Sequence, residues 1–127
     1  MLDPRARELA SGANFAVLTT LLADGTPQSH VMWVDTDGDH LLINTEVHRS
    51  KFRNLRRDGR ATVTLIDRDD PYSYVEVRGE VSEVVRGPEA RDHIDRLSRK
   101  YFGRDYDNPI KSERVIVKIR PLRQIVH

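Results

Sequence analysis

The chain has 127 residues, no cysteine, and 21 basic against 20 acidic residues, for a net charge of +1. That length suits one domain with one hydrophobic core, spanning residues 1–127. The missing cysteines exclude disulfides, thiolate metal sites and cysteine nucleophiles. A near-neutral balance argues against general nucleic-acid binding, which needs a basic face. The polar opening MLDPRARELASG is no secretory signal, and no apolar run approaches the roughly 18 residues of a membrane span, so a soluble cytoplasmic protein is expected. With 38% apolar and 32% charged residues the core is thin, and oligomerising would add burial.

Residues 4–11, PRARELAS, predict a short helix with Pro4 in its first turn and Gly12 closing it. NFAVLTTLL (14–22) is apolar and β-branched at strand length. The Asp24-Gly25 pair after it predicts a hairpin into QSHVMWVDT (28–36). DTDGD (35–39) is a second turn before HLLINTE (40–46), so the chain is expected to open as a three-strand meander. ATVTLID (61–67) alternates as a strand, and RDDPYS (68–73) is a turn. In YVEVRGEVSEV (74–84), Val75, Val77 and Val81 alternate with Glu76, Arg78 and Glu80; Gly79 marks a bulge or a close backbone approach. GPEARDHIDRLSRKYF (87–102) reads as a helix with Pro88 first and Ile94, Leu97 and Tyr101 on one face. ERVIVKIRPLRQIV (113–126) is a last strand that Pro121 should bend or end. Short strands joined by hairpins, without βαβ alternation, predict a mainly β (α+β) fold: an antiparallel barrel with helices at its edges.

The charge is unevenly spread. HRSKFRNLRRDGR (48–60) holds six basic residues and one acidic, leaving 15 basic and 19 acidic elsewhere, a net of −4. This stretch reads as a short helix between two strands. Ser50 is placed to cap it, with Lys51 next and Phe52 and Leu55 facing the core. Arg49 and Lys51 flank the helix start, where free N–H groups and the dipole favour an anion, and Asn44 and Thr45 could add donors. Arg49, Arg53, Arg56 and Arg57 fall within an arc of about 100° away from the apolar pair. A phosphate site and a merely solvated basic face both fit that pattern.

Other signals are weaker. Asp35, Asp37, Asp39 and Glu46 imitate the ligand spacing of a calcium loop, but His40 stands where its glycine belongs and no helices flank it. The five histidines (30, 40, 48, 93, 127) have no paired ligand spacing, so no metal is expected.

The succession NFAVLTTLLADGTPQSHVMWV, LLINTE, RSKFRNLRRDGRATVTL and YVEVRGEV resembles the split β-barrel flavin-binding superfamily built around pyridoxamine 5′-phosphate oxidase. Within it, the nearest likeness is to the branch using the deazaflavin coenzyme F420. The resemblance covers residues 8–126 and implies the split β-barrel FMN-binding fold. It implies that Arg49 and Lys51 grip the cofactor phosphate, that Thr45 and Ser50 hydrogen-bond it, and that Val31, Met32 and Trp33 lie along the ring system. It further implies a homodimer with the cofactor in the groove between subunits, where PYSY (71–74), with Tyr72, comes from the partner. PLRQIVH lacks the Trp- and Arg-rich substrate segment of pyridoxamine phosphate oxidases, which points away from vitamin B6 oxidation. Arg53, Arg56, Arg57 and Arg60 would suit the oligoglutamate tail of F420. The expected function is therefore an F420-dependent reductase passing hydride to a small unsaturated organic substrate. The alternatives are an FMN oxidoreductase and a non-catalytic flavin or deazaflavin carrier. His30, Tyr72, Tyr74 and Tyr101 are the candidate proton donors.

Overall fold

Asp3 starts the first helix of the computed structural model, which describes all 127 residues. Its carboxylate accepts the Arg5 N–H at 2.8 Å, and Pro4 follows with the backbone angle a first turn needs. The elements in chain order are α1 (Pro4–Ser11), β1 (Phe15–Leu21), β2 (Pro27–Met32), β3 (Asp35–Thr36), β4 (Leu41–Glu46), α2 (Ser50–Arg57), β5 (Arg60–Ile66), β6 (Tyr74–Val85), α3 (Pro88–Phe102) and β7 (Arg114–Val126). All seven strands join one antiparallel sheet in the order β2-β1-β5-β6-β7-β4-β3, curled into a half-barrel. The expected mainly β fold with flanking helices is the one observed.

The core follows from alternation. Ala16 and Leu18 of β1, Val63 and Leu65 of β5, Val75 and Val77 of β6, and Val115, Val117 and Ile119 of β7 are buried together. Leu2 just before α1 and Leu9 within it close the cluster from one side, and Phe52 and Leu55 close it from α2. These two are the i, i+3 pair expected to anchor the basic helix. On the other face of the sheet, α3 packs Ala90 against Leu42 and Ile116. β4 is therefore covered on both sides, which explains why LLI runs continuously apolar instead of alternating.

The expected meander does not form. β1 and β2 make the hairpin, with Thr20 opposite Gln28 and Ala16 opposite Met32, but the 28–36 stretch splits after Met32. Asp35–Thr36 pairs with β4 at the far edge of the sheet, and β4 pairs with β7. The cause is tertiary. Tyr101 Oη accepts the Val34 N–H at 3.2 Å and donates to the Asn14 carbonyl at 2.7 Å, so α3 draws the chain off the β2 edge. Pro121 does not end β7, which runs on to Val126. It sits opposite Gly79, where the β6–β7 register shifts.

Gly79 is the close approach its place in an alternating strand suggested. A Cβ there would lie 2.3 Å from the Arg120 carbonyl oxygen and 2.9 Å from Ile119 Cγ2. Because the nearest atom is backbone, a side chain must separate β6 from β7. Gly79→Ala should lower stability by about 1–3 kcal/mol, the range for overpacking. A urea unfolding midpoint equal to that of the unsubstituted protein would contradict this.

Candidate functional site

β4 ends at Glu46, and a short turn carries the chain into α2. The Glu46 carbonyl accepts the Arg49 N–H at 3.0 Å, and the Arg49 carbonyl accepts the first helical bond, from Arg53 N–H at 3.2 Å. Arg49 is therefore the N-cap residue, not Ser50, which becomes the first residue of the helix. No side chain caps this end. The first N–H groups of α2 are left without a side-chain acceptor, at the positive pole of the helix.

A cleft of about 230 Å3 opens beside this helix start. Val31, Met32 and Trp33 from the end of β2 form one wall, and Asn44 and Thr45 of β4 form its floor. Arg49 and Lys51 enter from α2, Ile94 and Leu97 from α3, Tyr106 and Asn108 from the 103–113 connection, and Arg114 from β7. Of the residues singled out in the sequence, Ser50 and Tyr72 are not brought in. Ser50 lies beside Leu22, Asp24 and Arg53 in a different depression, and Tyr72 stands 88% exposed in the turn before β6.

Arg114, Tyr106 and Asn108 were not anticipated. Arg114 opens an apolar strand far along the chain from Arg49, and only the pairing of β4 with β7 brings them together. The one available signal was a lone arginine at the head of VIVKI. Arg114 is buried, with Nη1 donating to Asn44 Oδ1 at 3.3 Å and Nη2 to Tyr106 Oη at 2.8 Å. Its Nε is buried without an acceptor.

No carboxylate lines the cleft. Burial first, and then the charges of Arg49 and Arg114, pull the Lys51 ammonium below its ordinary value. His30 is likewise lowered, by burial and then by Lys51 and Arg49, and its Nδ1 is buried without a partner. Three converging cations and the unpaired Arg114 Nε–H are costly unless an anion satisfies them. Tyr101 and Tyr74 are otherwise engaged: the first holds Asn14 and Val34, and the second stacks on His127 at 4.2 Å. Among the candidate proton donors, His30 alone neighbours the cations of the cleft.

Trp33 stacks on Tyr101 with centroids 5.2 Å apart and planes 9° apart, and meets Phe102 and Tyr106 edge-on. Behind it, Phe15, Val31, Met32, Tyr101 and Phe102 enclose an apolar pocket of about 260 Å3 with Arg68 at its rim. On the other flank of α2, a larger groove of about 550 Å3 is lined by Phe52, Arg53, Arg56, Arg57, Arg86 and Glu113, together with Val47. Arg60 is not part of it: it lies beside Leu21 and Pro27 in another depression, paired with Asp58 at 2.7 Å.

The pyridoxamine 5′-phosphate oxidase family matches this chain over residues 2–125. The chain belongs to that family. An F420 reductase of known structure is 31% identical, covers 94% of each chain and superposes with a TM-score of 0.78. A conserved hypothetical protein from Mycobacterium tuberculosis is 26% identical over 98% of this chain and 83% of its own, with a TM-score of 0.73. A pyridoxamine 5′-phosphate oxidase-related, FMN-binding protein from Nostoc punctiforme shares the fold at 13% identity, 88% and 72% coverage, and a TM-score of 0.66. Membership places the chain among oxidoreductases with flavin-type cofactors. No helix is long and apolar enough to cross a membrane.

Glu46 ties the 103–113 connection over the cleft, its Oε1 accepting the N–H groups of Lys111 at 2.6 Å and Ser112 at 3.2 Å. Burial alone would raise its pKa. The two backbone donors, with Arg114 and His48, outweigh burial and hold it below the ordinary 4.5. A depressed folded-state pKa gives stability that is present above 4.5 and is lost as pH falls through the lower, folded value. Glu46→Gln should therefore flatten the acid limb of the stability–pH curve below about pH 4.5. An acid limb identical to wild type, measured by urea midpoints, would contradict the assignment.

Proposed function

We propose that this protein is an F420-dependent oxidoreductase, working as a homodimer on a small unsaturated organic substrate. The observation that carries the reading is the carboxylate-free cleft, where Arg49, Lys51 and Arg114 converge at an uncapped helix start beside the apolar Val31–Trp33 wall. Cations, backbone donors and an apolar wall suit a phosphate joined to a flat ring system. Thr45 and Asn44 add polar contacts, and Ser50 contributes the backbone of the first helical turn. When bound, the reduced deazaflavin supplies hydride; this chain binds it, orients it and shields it from water. The apolar pocket beside Trp33 is suited to the substrate, and His30, close enough to feel the charges of Lys51 and Arg49, is the candidate group to hold a proton.

F420 is favoured over FMN by the arginine groove on the adjoining flank of α2. Arg53, Arg56, Arg57 and Arg86 there face one carboxylate, Glu113, which pairs with Arg86 at 2.9 Å. An oligoglutamate tail running from the phosphate would meet a surplus of guanidinium groups. The 31% identical F420 reductase supports the same choice. Tyr72, exposed and remote from its own chain's cleft, is assigned to the partner subunit's cofactor, and exposed Phe15, Val31 and Phe102 supply apolar surface for that subunit to cover.

Trp33 is the only tryptophan and lines the cleft, so its fluorescence reports binding directly. Lys51→Ala or Arg49→Ala should weaken cofactor binding by about 1.5–3 kcal/mol, the size of charge-assisted hydrogen bonds, with the unfolding midpoint nearly unchanged. The double variant Arg53→Ala/Arg56→Ala should weaken F420 and spare FMN. Tight FMN binding with none of F420 would replace the proposal by an FMN oxidoreductase. Binding without turnover of enones, quinones or imines would leave a carrier.

A further inference from the structure

A line of hydrogen bonds crosses the interior from β3 to the cleft. His93 of α3 is fully buried, with Nε2 2.9 Å from Asp35 Oδ2 and Nδ1 3.1 Å from Asn44 Nδ2. The same Asn44 nitrogen lies 2.9 Å from the Ala90 carbonyl oxygen. A carbonyl can only accept, so that atom is the amide NH2 group, and its second hydrogen goes to His93 Nδ1. His93 Nδ1 is then unprotonated, and Nε2–H donates to Asp35. With both amide hydrogens engaged, Asn44 turns Oδ1 to Arg114, whose Nη1 donates to it at 3.3 Å. Arg114 Nη2 donates to Tyr106 Oη at 2.8 Å, and Nε is left over, buried and without an acceptor.

We infer that Asp35 and His93 are positioning residues for the anion site: Asp35 holds the His93 ring with Nδ1 as an acceptor, His93 and the Ala90 carbonyl together hold the Asn44 amide, and Asn44 Oδ1 holds Arg114 in the cleft wall. This rests on the reading of the cleft as a phosphate site. The physical logic is a sequence of donors and acceptors in which each member has one orientation open to it. Without the Asp35 acceptor, the buried His93 Nε2–H is left unpaired and the ring loses the bond that holds Nδ1 against Asn44. Asn44 then keeps only the Ala90 carbonyl, and its Oδ1 holds Arg114 less firmly. A bond that only anchors α3 to β4 would behave otherwise, because its loss would loosen the fold without favouring one kind of ligand.

The discriminating measurement compares ligands with and without the phosphate, titrated into the full chain and read by Trp33 fluorescence: FMN against riboflavin, which differ by the phosphate alone, and F420 against its deazariboflavin core, which lacks both phosphate and tail. Asp35→Ala and His93→Phe should cut affinity for the phosphorylated member about tenfold and change the phosphate-free member by less than about twofold. Asp35→Asn keeps an acceptor oxygen for His93, and His93→Gln keeps one acceptor and one donor at the spacing of the ring nitrogens. Both should restore the preference. Folded Asp35→Ala protein with the wild-type phosphate preference, or with both ligands weakened equally, overturns the inference. Should His93→Phe not fold, Asp35→Ala decides alone, since Asp35 is half-buried at the sheet edge. A wild-type protein that does not distinguish FMN from riboflavin, nor F420 from its deazariboflavin core, would instead defeat the phosphate reading itself.

Discussion

The chain leaves β2 at Trp33, and the grip of α3 on Val34 determines where everything after it can lie. Tyr101 accepts the Val34 N–H, and Lys100 Nζ donates to the Val34 carbonyl at 2.6 Å and to the Ala10 carbonyl at 3.0 Å. Burial lowers the Lys100 pKa, against the pull of Asp35, yet the two carbonyls and Asp35 give its charge company. This clamp takes the chain from one edge of the sheet to the other. As a result β4, and the helix start that follows it, come to lie beside the end of the strand they would otherwise have paired with. The apolar wall and the cations of the cleft meet because the meander is broken.

The same arrangement concentrates like charge. Arg49, Lys51 and Arg114 share one cleft without a carboxylate, although acidic side chains elsewhere are spent freely on pairs such as Arg5–Asp67 and Arg91–Asp95. Local rules of charge pairing are broken in this cleft and obeyed around it, which is the signature of a site built for a ligand. In the proposed function a flavin-type cofactor would bring what is missing, a phosphate for the cations and a ring for the Val31–Trp33 wall. Fold alone would not support that proposal, since one fold hosts many activities. The charge distribution of this particular chain is what supports the proposed site.

Much of this was legible in the residues. Alternation in YVEVRGEV, the Asp24-Gly25 turn and the helices opened by Pro4 and Pro88 are local signals, and that strand and both helices form within a residue of their expected bounds. Arg49 and Lys51 could be singled out because the helix start, the phosphate-binding polarity and the charge excess coincide in one short segment. What was not legible is what depends on distant partners. The fate of Val34 is decided by Tyr101, 67 residues away, and the entry of Arg114 by strand pairing. Asp35 looked like part of a metal-loop imitation, and its actual partner, His93, lies 58 residues on. Ser50 was misassigned as a cap by one residue because the turn closed by Glu46 and Arg49 starts the helix earlier than hydroxyl preference suggests.

The central claim is that the cleft at the start of α2 holds the phosphate of a flavin-type cofactor. A crystal structure of the protein grown with F420 tests it most directly. The account predicts the phosphate within hydrogen-bonding distance of Arg49, Lys51 and the first N–H groups of α2, the ring along Val31–Trp33, and the tail over Arg53 and Arg56. A cofactor phosphate seated anywhere else, with these cations turned to solvent, would contradict it.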